Sequence, residues 1–393
     1  MGSALRLGVV AGEASGDLLG ARVLDALRAR CGELVVEGVG GREMAARGVS
    51  SLYPVERLAV MGLAEPLRRL PELIRLRRRL ARHFLDNPPD LFLGIDSPDF
   101  NLPLARRLRA AGVATAHLVS PSVWAWRAGR LKSIGKAVDL MLCLFPFEPE
   151  LYRARGIAAE CVGHPLATEL ADMPDQRAAR EALQMQPPVA ANAPLLALLP
   201  GSRVSEITAL APVFLQVAAQ LSQERPELVC VLPVASDACR DALTPLLREY
   251  PALRLHLIEG RSAEVLAAAD AALVTSGTAT LEAMLLRRPM VVAWRTGALS
   301  WWLLSRMVRT PHVALPNILA GRAVVPEYLQ QAATAENLLG ALRPLLFEPA
   351  EQARCREEFS ALRGPLALDF GRECSEALLK LASGGRGAGH AAV

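Results

Sequence analysis

The chain has 393 residues, of which 52% are hydrophobic and 21% charged. That excludes a disordered chain and is long for one core, so two domains are expected. A net charge of +4 is too small for bulk nucleic-acid binding, and no nucleic-acid partner is expected. The seven cysteines show no C-x-x-C spacing, which argues against a zinc site or a redox pair and for reduced, mostly buried thiols.

Residues 5–11 read as a first strand. Gly12-Glu13-Ala14-Ser15-Gly16-Asp17 then makes a glycine-rich turn into a helix running to about residue 30, like the first βα turn of a Rossmann-type half. It lacks the G-x-G-x-x-G pattern, so a dinucleotide is not favoured. Gly12 and Gly16 either admit a close backbone or sugar, or simply make a tight turn. Residues 34–39 form a second strand, closed by Gly40-Gly41. The basic segment 67–84 is expected to be helical, with Pro71 in its first turn. Leu70, Leu73, Ile74, Leu80 and Phe84 share a face, and Arg75, Arg77, Arg78, Arg79 and Arg82 are their basic neighbours. Two readings stand: a solvated helix with its other side in the core, or an amphipathic helix on an anionic membrane surface. The N-terminus shows no secretory-signal pattern. No run reaches the roughly 18 apolar residues that span a bilayer. The most lipid-like segment, 301–308, is bracketed by Arg295, Arg306 and Arg309.

The strand at 90–95 delivers Asp96-Ser97-Pro98-Asp99-Phe100-Asn101 at its carboxyl end, where open α/β sheets gather ligand-binding groups. The strand at 113–119 delivers Ser120-Pro121-Ser122-Val123-Trp124-Ala125-Trp126-Arg127. Two Trp beside an Arg suit sugar stacking, an acyl or phosphate contact, or the core. Residues 129–137 resemble a P-loop only superficially: the glycine spacing is one too long, and Ala137 stands where Ser or Thr is needed. A strand at 140–144 and a short helix from Pro146 lead to His164, which either serves the inter-domain cleft or is structural.

Residues 172–194, polar with Pro and Ala clusters, read as a linker. The pattern then restarts, with strands at 195–199, 228–234, 253–258, 271–275 and 290–294. Helices at 205–222, 239–250, 263–269 and 278–286 alternate with them, so a second parallel sheet is expected. Leu199-Pro200-Gly201-Ser202-Arg203 and Ser276-Gly277-Thr278 each follow a strand and open a helix. Free N–H groups and the positive end of the helix dipole attract phosphate there, although a turn capped by Ser or Thr has the same composition. Two such loops with Arg203 suggest a nucleoside diphosphate. Glu282, one turn later, can hold a ribose hydroxyl. Residues 314–321 read as a loop with Asn317 as a uridine or phosphate ligand. Helices are expected from 326 to about 382, and 384–393 is a Gly/Ala tail expected to be disordered.

Two Rossmann-like parallel-sheet domains facing a cleft, with a helical C-terminal segment, form an α/β architecture of the GT-B type. The expected boundaries are 1–171 for the first domain, 172–194 for the linker and 195–365 for a second, nucleotide-binding domain. Residues 366–383 form a C-terminal helix packing back or swapped, and 384–393 the tail.

Over nearly its whole length the chain resembles the lipid-A-disaccharide synthases. In the first half the motifs are Gly12-Glu13-Ala14-Ser15-Gly16-Asp17, Ala59-Val60-Met61-Gly62, Gly94-Ile95-Asp96-Ser97-Pro98-Asp99-Phe100-Asn101 and Val119-Ser120-Pro121-Ser122-Val123-Trp124-Ala125-Trp126. In the second they are Leu199-Pro200-Gly201-Ser202-Arg203, Ser276-Gly277-Thr278-Ala279-Thr280-Leu281-Glu282 and Leu315-Pro316-Asn317-Ile318-Leu319-Ala320-Gly321. The resemblance implies transfer of 2,3-diacylglucosamine from UDP-2,3-diacylglucosamine to the 6-hydroxyl of 2,3-diacylglucosamine 1-phosphate (lipid X), giving a β-1,6 disaccharide and UDP. It implies inversion without a metal or cofactor. It also implies a peripheral place on the cytoplasmic face of the inner membrane and a homodimer formed by swapping C-terminal segments.

On this reading Asp96 is the candidate base, with Asp99 as the alternative. Arg203 and the helix start at Gly277-Thr278 stabilise the leaving UDP, with Glu282 on the ribose. Ser202, Ser276 and Asn317 assist, and Ser15 and Gly16 line the donor sugar. Trp126 and His164 are secondary candidates. The rival from another class is a UDP-N-acetylglucosamine 2-epimerase, which shares a Ser-Gly-x-x-x-x-Glu loop but leaves the Ser120 to Trp126 block unexplained.

Overall fold

The computed structural model describes residues 4–58, 65–124, 128–190, 192–297, 301–302, 306 and 310–388. The chain forms two compact units, Met1–Pro165 with Leu366–Val393, and Leu166–Pro365.

The first unit is built on β1 (Leu5–Ala11), β2 (Leu34–Val39), β3 (Ser50–Ser51), β4 (Leu91–Ile95), β5 (Ala114–Leu118), β6 (Leu140–Cys143) and β7 (Ala159–Cys161). They pair in parallel in the order β3-β2-β1-β4-β5-β6-β7. Strand β4 is apolar and buried at every position because both faces of the sheet are covered. Alternate residues enter opposite layers. Leu7, Val9, Leu91 and Leu93 join one cluster, and Val10 and Phe92 the other. The first layer is closed by helices Ala14–Arg28 and Phe370–Ala388, the second by helices Glu65–Asp86 and Pro98–Ala110.

The C-terminal helix therefore completes the first unit. Phe370, Cys374, Ala377, Leu378 and Ala382 recur at helical spacing and are buried. A Cβ on Gly371 would sit 3.1 Å from that of Ala26, so glycine lets the two helices close up. This helix runs to Ala388, beyond the boundary at 383 expected from composition.

The second unit carries β8 (Leu195–Leu199), β9 (Val229–Val234), β10 (Leu255–Glu259), β11 (Ala271–Thr275), β12 (Met290–Trp294) and β13 (Glu327–Leu329), all parallel, in the order β10-β9-β8-β11-β12-β13. Strand β13 lies where only helix was expected; three residues are too few to show an alternation. Residues 315–320, read as loop, are the short helix Leu315–Ala320, started by Pro316 and ended by Gly321 at φ +64°. The stretch read as a linker contains helix Gln176–Ala182, and this segment belongs to the second unit. Arg180 donates to Asp270 at 2.7 Å and to the Ala268 carbonyl at 2.8 Å, so polar residues there anchor the segment rather than solvate it.

Among the described residues, helix Val204–Glu224 is long and apolar enough to cross a bilayer by length and composition. Its residues Ile207, Leu210, Phe214, Val217 and Leu221 are buried within the second unit, as in a core helix. The seven cysteines are unpaired.

Candidate active site

Each sheet reverses its strand order once, between β1 and β4 in the first unit and between β8 and β11 in the second. Loops leaving the carboxyl ends of such a pair diverge and leave a crevice. The register places the key turns directly after paired residues: Ala11 pairs with Ile95, and Leu199 with Val274.

In the first unit this brings Gly12-Glu13 beside Asp96-Ser97. A Cβ on Gly12 would lie 1.8 Å from Ser97 Oγ, so only glycine permits the approach. Asp96 and Ser97 are both left-handed, at φ +51° and +43°, a strained pair for non-glycine residues. Asn101 holds them. Its Nδ2 donates to the carbonyls of Asp96 at 2.8 Å, Val10 at 3.1 Å and Ile95 at 3.3 Å. Burial raises the pKa of the half-buried Asp96 carboxyl. Glu13 is raised too, first by burial and then by the negative charge of Asp96. Sequence reasoning gave Glu13 no role. Its position one residue after the glycine that follows β1 at the switch point is the available signal.

Ser97 precedes the helix, which starts at Pro98. Asp99 lies in the first turn with a carboxylate 79% exposed and paired with Arg130. Ser15 is exposed at the start of its helix, whereas Gly16 is buried, and a Cβ there would touch Ala11 and Ile95. Asp17 accepts from the N–H groups of Gly41, Glu43 and Met44, capping the neighbouring helix.

In the second unit a cavity of about 380 Å³ gathers Ser202, Arg203, Ser276, Gly277, Thr278 and Glu282. Gly277, at φ +153°, opens helix Thr278–Leu285. The Glu282 carboxyl is raised by burial and accepts from Ser262 Oγ at 3.1 Å. The Ser202 and Arg203 N–H groups donate to Glu206 at 2.9 and 3.2 Å, so this carboxylate occupies the donors expected to face phosphate. The Arg203 guanidinium is 80% exposed. The cavity also takes in Arg261 and Ser262, which the sequence reading passed over. They follow β10, a third strand-to-helix turn on the same sheet edge.

Asn317 departs from expectation. It is fully buried, accepts from the N–H groups of Val324 and Val325, and donates to the Val325 carbonyl and Glu327. Its amide locks its own segment, so we assign it to positioning instead of direct ligation. The His164 ring packs against Phe145 at 5.6 Å, its backbone N–H donates to the Leu366 carbonyl, and burial lowers its pKa to about 4, so the ring is neutral at pH 7. Trp124 donates to Glu148 at 3.3 Å and packs edge-on against Phe147. Trp126 and the 59–62 motif lie outside the described residues.

A family model described as lipid-A-disaccharide synthetase matches residues 7–365. The chain is 48% identical over 381 residues to the lipid-A-disaccharide synthase of Alkalilimnicola ehrlichii, covering 97% of this chain and 99% of that one. It is 49% identical over 387 residues to that of Azotobacter vinelandii, with the same coverage. Among solved structures it resembles a putative UDP-N-acetylglucosamine 2-epimerase from Listeria monocytogenes, with a TM-score of 0.61, 13% identity and coverage of 96% and 95%. It also resembles the glycotransferase of kitacinnamycin, with a TM-score of 0.57, 16% identity and coverage of 97% and 100%. At such identity the likeness shows a shared GT-B-like fold and leaves the chemistry to the sequence relatives.

Proposed function

The chain belongs to the lipid-A-disaccharide synthase family and is a glycosyltransferase, and from that premise we propose that it transfers 2,3-diacylglucosamine from UDP to the 6-hydroxyl of lipid X with inversion. The observation that carries this reading is the cavity of the second unit. Six residues from two strand-to-helix turns and the helix Thr278–Leu285 line one volume of about 380 Å³, within the roughly 300–1,000 Å³ of ligand pockets. There Glu282 takes the ribose, and the N-terminus of helix Thr278–Leu285 with Arg203 stabilises the charge developing on the leaving UDP. Their positive charge supports a reaction without a metal. The first unit supplies the acceptor side. Asp96 takes the proton of the attacking hydroxyl, and its raised pKa brings it closer to the task than an ordinary carboxylate. Ser15 and Gly16, at the switch point of the same sheet, are the candidates to meet the donor sugar.

The acceptor is a membrane lipid, so the enzyme docks on the anionic cytoplasmic face of the inner membrane. Helix Glu65–Asp86 is suited to this. Leu76, Leu80 and Phe84 are buried, while Leu70 is 48% exposed beside the exposed Arg75, Arg78, Arg79 and Arg82. A homodimer forms by exchange of the C-terminal helix, whose apolar face fits the first unit of a second copy as it fits its own; light scattering of full-length and helix-deleted protein reports it.

The test is UDP release from UDP-2,3-diacylglucosamine, with and without lipid X, in EDTA. Release that needs lipid X and survives EDTA is expected. Release indifferent to lipid X, with an isomerised UDP-sugar, would return the chain to epimerase chemistry. Loss in EDTA would require a metal.

A further inference from the structure

A second cavity, in the first unit, takes no part in the chemistry above. It has a volume of about 480 Å³ and lies between helices Glu65–Asp86 and Pro98–Ala110, with Arg130 at its rim. Positions 74, 77 and 78 of one helix and 99, 102, 103, 106 and 107 of the other follow helical spacing, so each helix presents one face to the cavity. Those faces bring together Arg77, Arg78, Arg106 and Arg107. With Arg130, five guanidinium groups meet one carboxylate, Asp99.

Asp99 is paired with Arg130, and Arg77 donates to the Asp99 carbonyl at 3.1 Å. Among the described residues Arg78, Arg106 and Arg107 have no carboxylate partner. Some arginines elsewhere on the surface find one, as in Arg47–Asp25, Arg322–Glu358 and Arg343–Glu224; what sets these three apart is that they lack one while sharing a concave space with Arg77 and Arg130. The crowding is felt, because the pKa of Arg77 is lowered first by burial and then by Arg107 and Arg78. A solvated basic surface does not require arginines from two helices to share a concave, partly desolvated space. An anion seated there relieves the repulsion.

We propose that this cavity is a phosphomonoester-binding site. Guanidinium forks match phosphate oxygens in pairs, and a phosphomonoester carries close to two negative charges at pH 7. Ile74, Leu102 and Pro103 add an apolar wall for whatever bears the phosphate. Resting on the acceptor reading above, that group is the 1-phosphate of lipid X. A phosphatidic headgroup of the membrane carries the same chemistry.

The test uses the full chain and calorimetry with glucosamine 1-phosphate, inorganic phosphate, short-chain phosphatidic acid and, as neutral control, glucosamine. The first three are expected to bind and glucosamine not. In R106A/R107A, two exposed positions, phosphate affinity is expected to fall at least tenfold while UDP affinity and Tm stay unchanged. R106K/R107K, which keeps the charge without the fork, is expected to lie between. No phosphate binding by the wild type, or equal binding by R106A/R107A, overturns the site. Transfer kinetics then identify the source. A tenfold rise in KM for lipid X at unchanged KM for the UDP-sugar assigns it to the acceptor, and an unchanged KM with lost phosphatidic acid binding assigns it to the membrane. If the wild type does not use lipid X, the acceptor reading fails, while the phosphate titration still decides the site.

Discussion

The Asn101 side-chain amide donates to the Asp96 carbonyl at 2.8 Å from a fully buried position. The same nitrogen reaches the carbonyls of Val10 and Ile95, so it ties the ends of β1 and β4 to the acid loop. Asn101→Ala leaves these carbonyls without that donor. It is expected to cost about 1–3 kcal/mol of stability and, through misplacement of Asp96, more than tenfold in kcat. UDP affinity should not change. Thermal unfolding, UDP titration and turnover check this; wild-type kcat would mean that the loop holds its own shape.

Asp96 and Asp99 are separable because their surroundings differ. Asp96→Asn is expected to reduce kcat by about 10²–10⁴, and Asp99→Asn, at an exposed carboxylate paired with Arg130, by less than tenfold. Burial raises the Asp96 pKa above its ordinary value of 3.8, and a base works only when deprotonated. The acid limb of kcat/KM should therefore fall at a pH above that value, read from a rate profile; reversed mutant effects would make Asp99 the base.

Gly201 sits at φ +137°, and a Cβ there would lie 2.3 Å from that of Glu206. Gly201→Ala is expected to distort the Ser202-Arg203 turn at a cost of about 1–3 kcal/mol and to weaken UDP binding roughly tenfold or more. Calorimetric titration with UDP measures it, and unchanged affinity would remove this turn from the site.

Glu148 is a buried acid whose pKa is raised from 4.5 to about 7 by burial, against opposing hydrogen bonds led by the Phe145 N–H. A carboxyl raised in the fold contributes stability that is fully present below the unfolded value and lost as pH rises through the folded one. The window is therefore from 4.5 to about 7, and the difference amounts to roughly 3 kcal/mol at most. Glu148→Gln fixes the neutral state, so the gap in stability between variant and wild type should shift in the variant's favour across that window. Denaturant melts at pH 5 and pH 8 give the comparison, and a pH-independent gap would refute the shift.

Replacing Arg75, Arg79 and Arg82, which are exposed and outside the arginine cavity, with Glu is expected to release the protein from anionic vesicles without unfolding it, at about 1 kcal/mol per basic residue removed from the surface. Co-sedimentation with anionic and with neutral vesicles decides, and unchanged binding to anionic vesicles would exclude this helix as the docking face.

The strands were legible wherever an apolar run was long enough to be buried on both faces: β1, β8, β11 and β12 have the boundaries that the residues predict. The short edge strands β3, β7 and β13 were not, since two or three residues carry no period. The second-unit loops were legible because glycine and serine after a strand imply a turn with free donors. What sequence could not show was who else uses those donors. Glu206 takes the N–H groups of Ser202 and Arg203, and Asn317 is consumed by its own segment. Partners several residues away depend on the path of the turn, which composition does not fix. Arg77 and Arg107 come together only through the packing of two helices, so their shared cavity had no signature in either segment.

The first unit takes its last helix, Phe370–Ala388, from the end of the chain. During synthesis, residues up to Pro165 leave the ribosome long before Phe370, Cys374 and Leu378 exist to cover their sheet. The second unit, encoded without interruption from Leu166 to Pro365, can finish first. A unit begun early is thus completed late, and until Phe370–Ala388 is made it carries an uncovered apolar face that a chaperone, or a neighbouring nascent chain, can occupy.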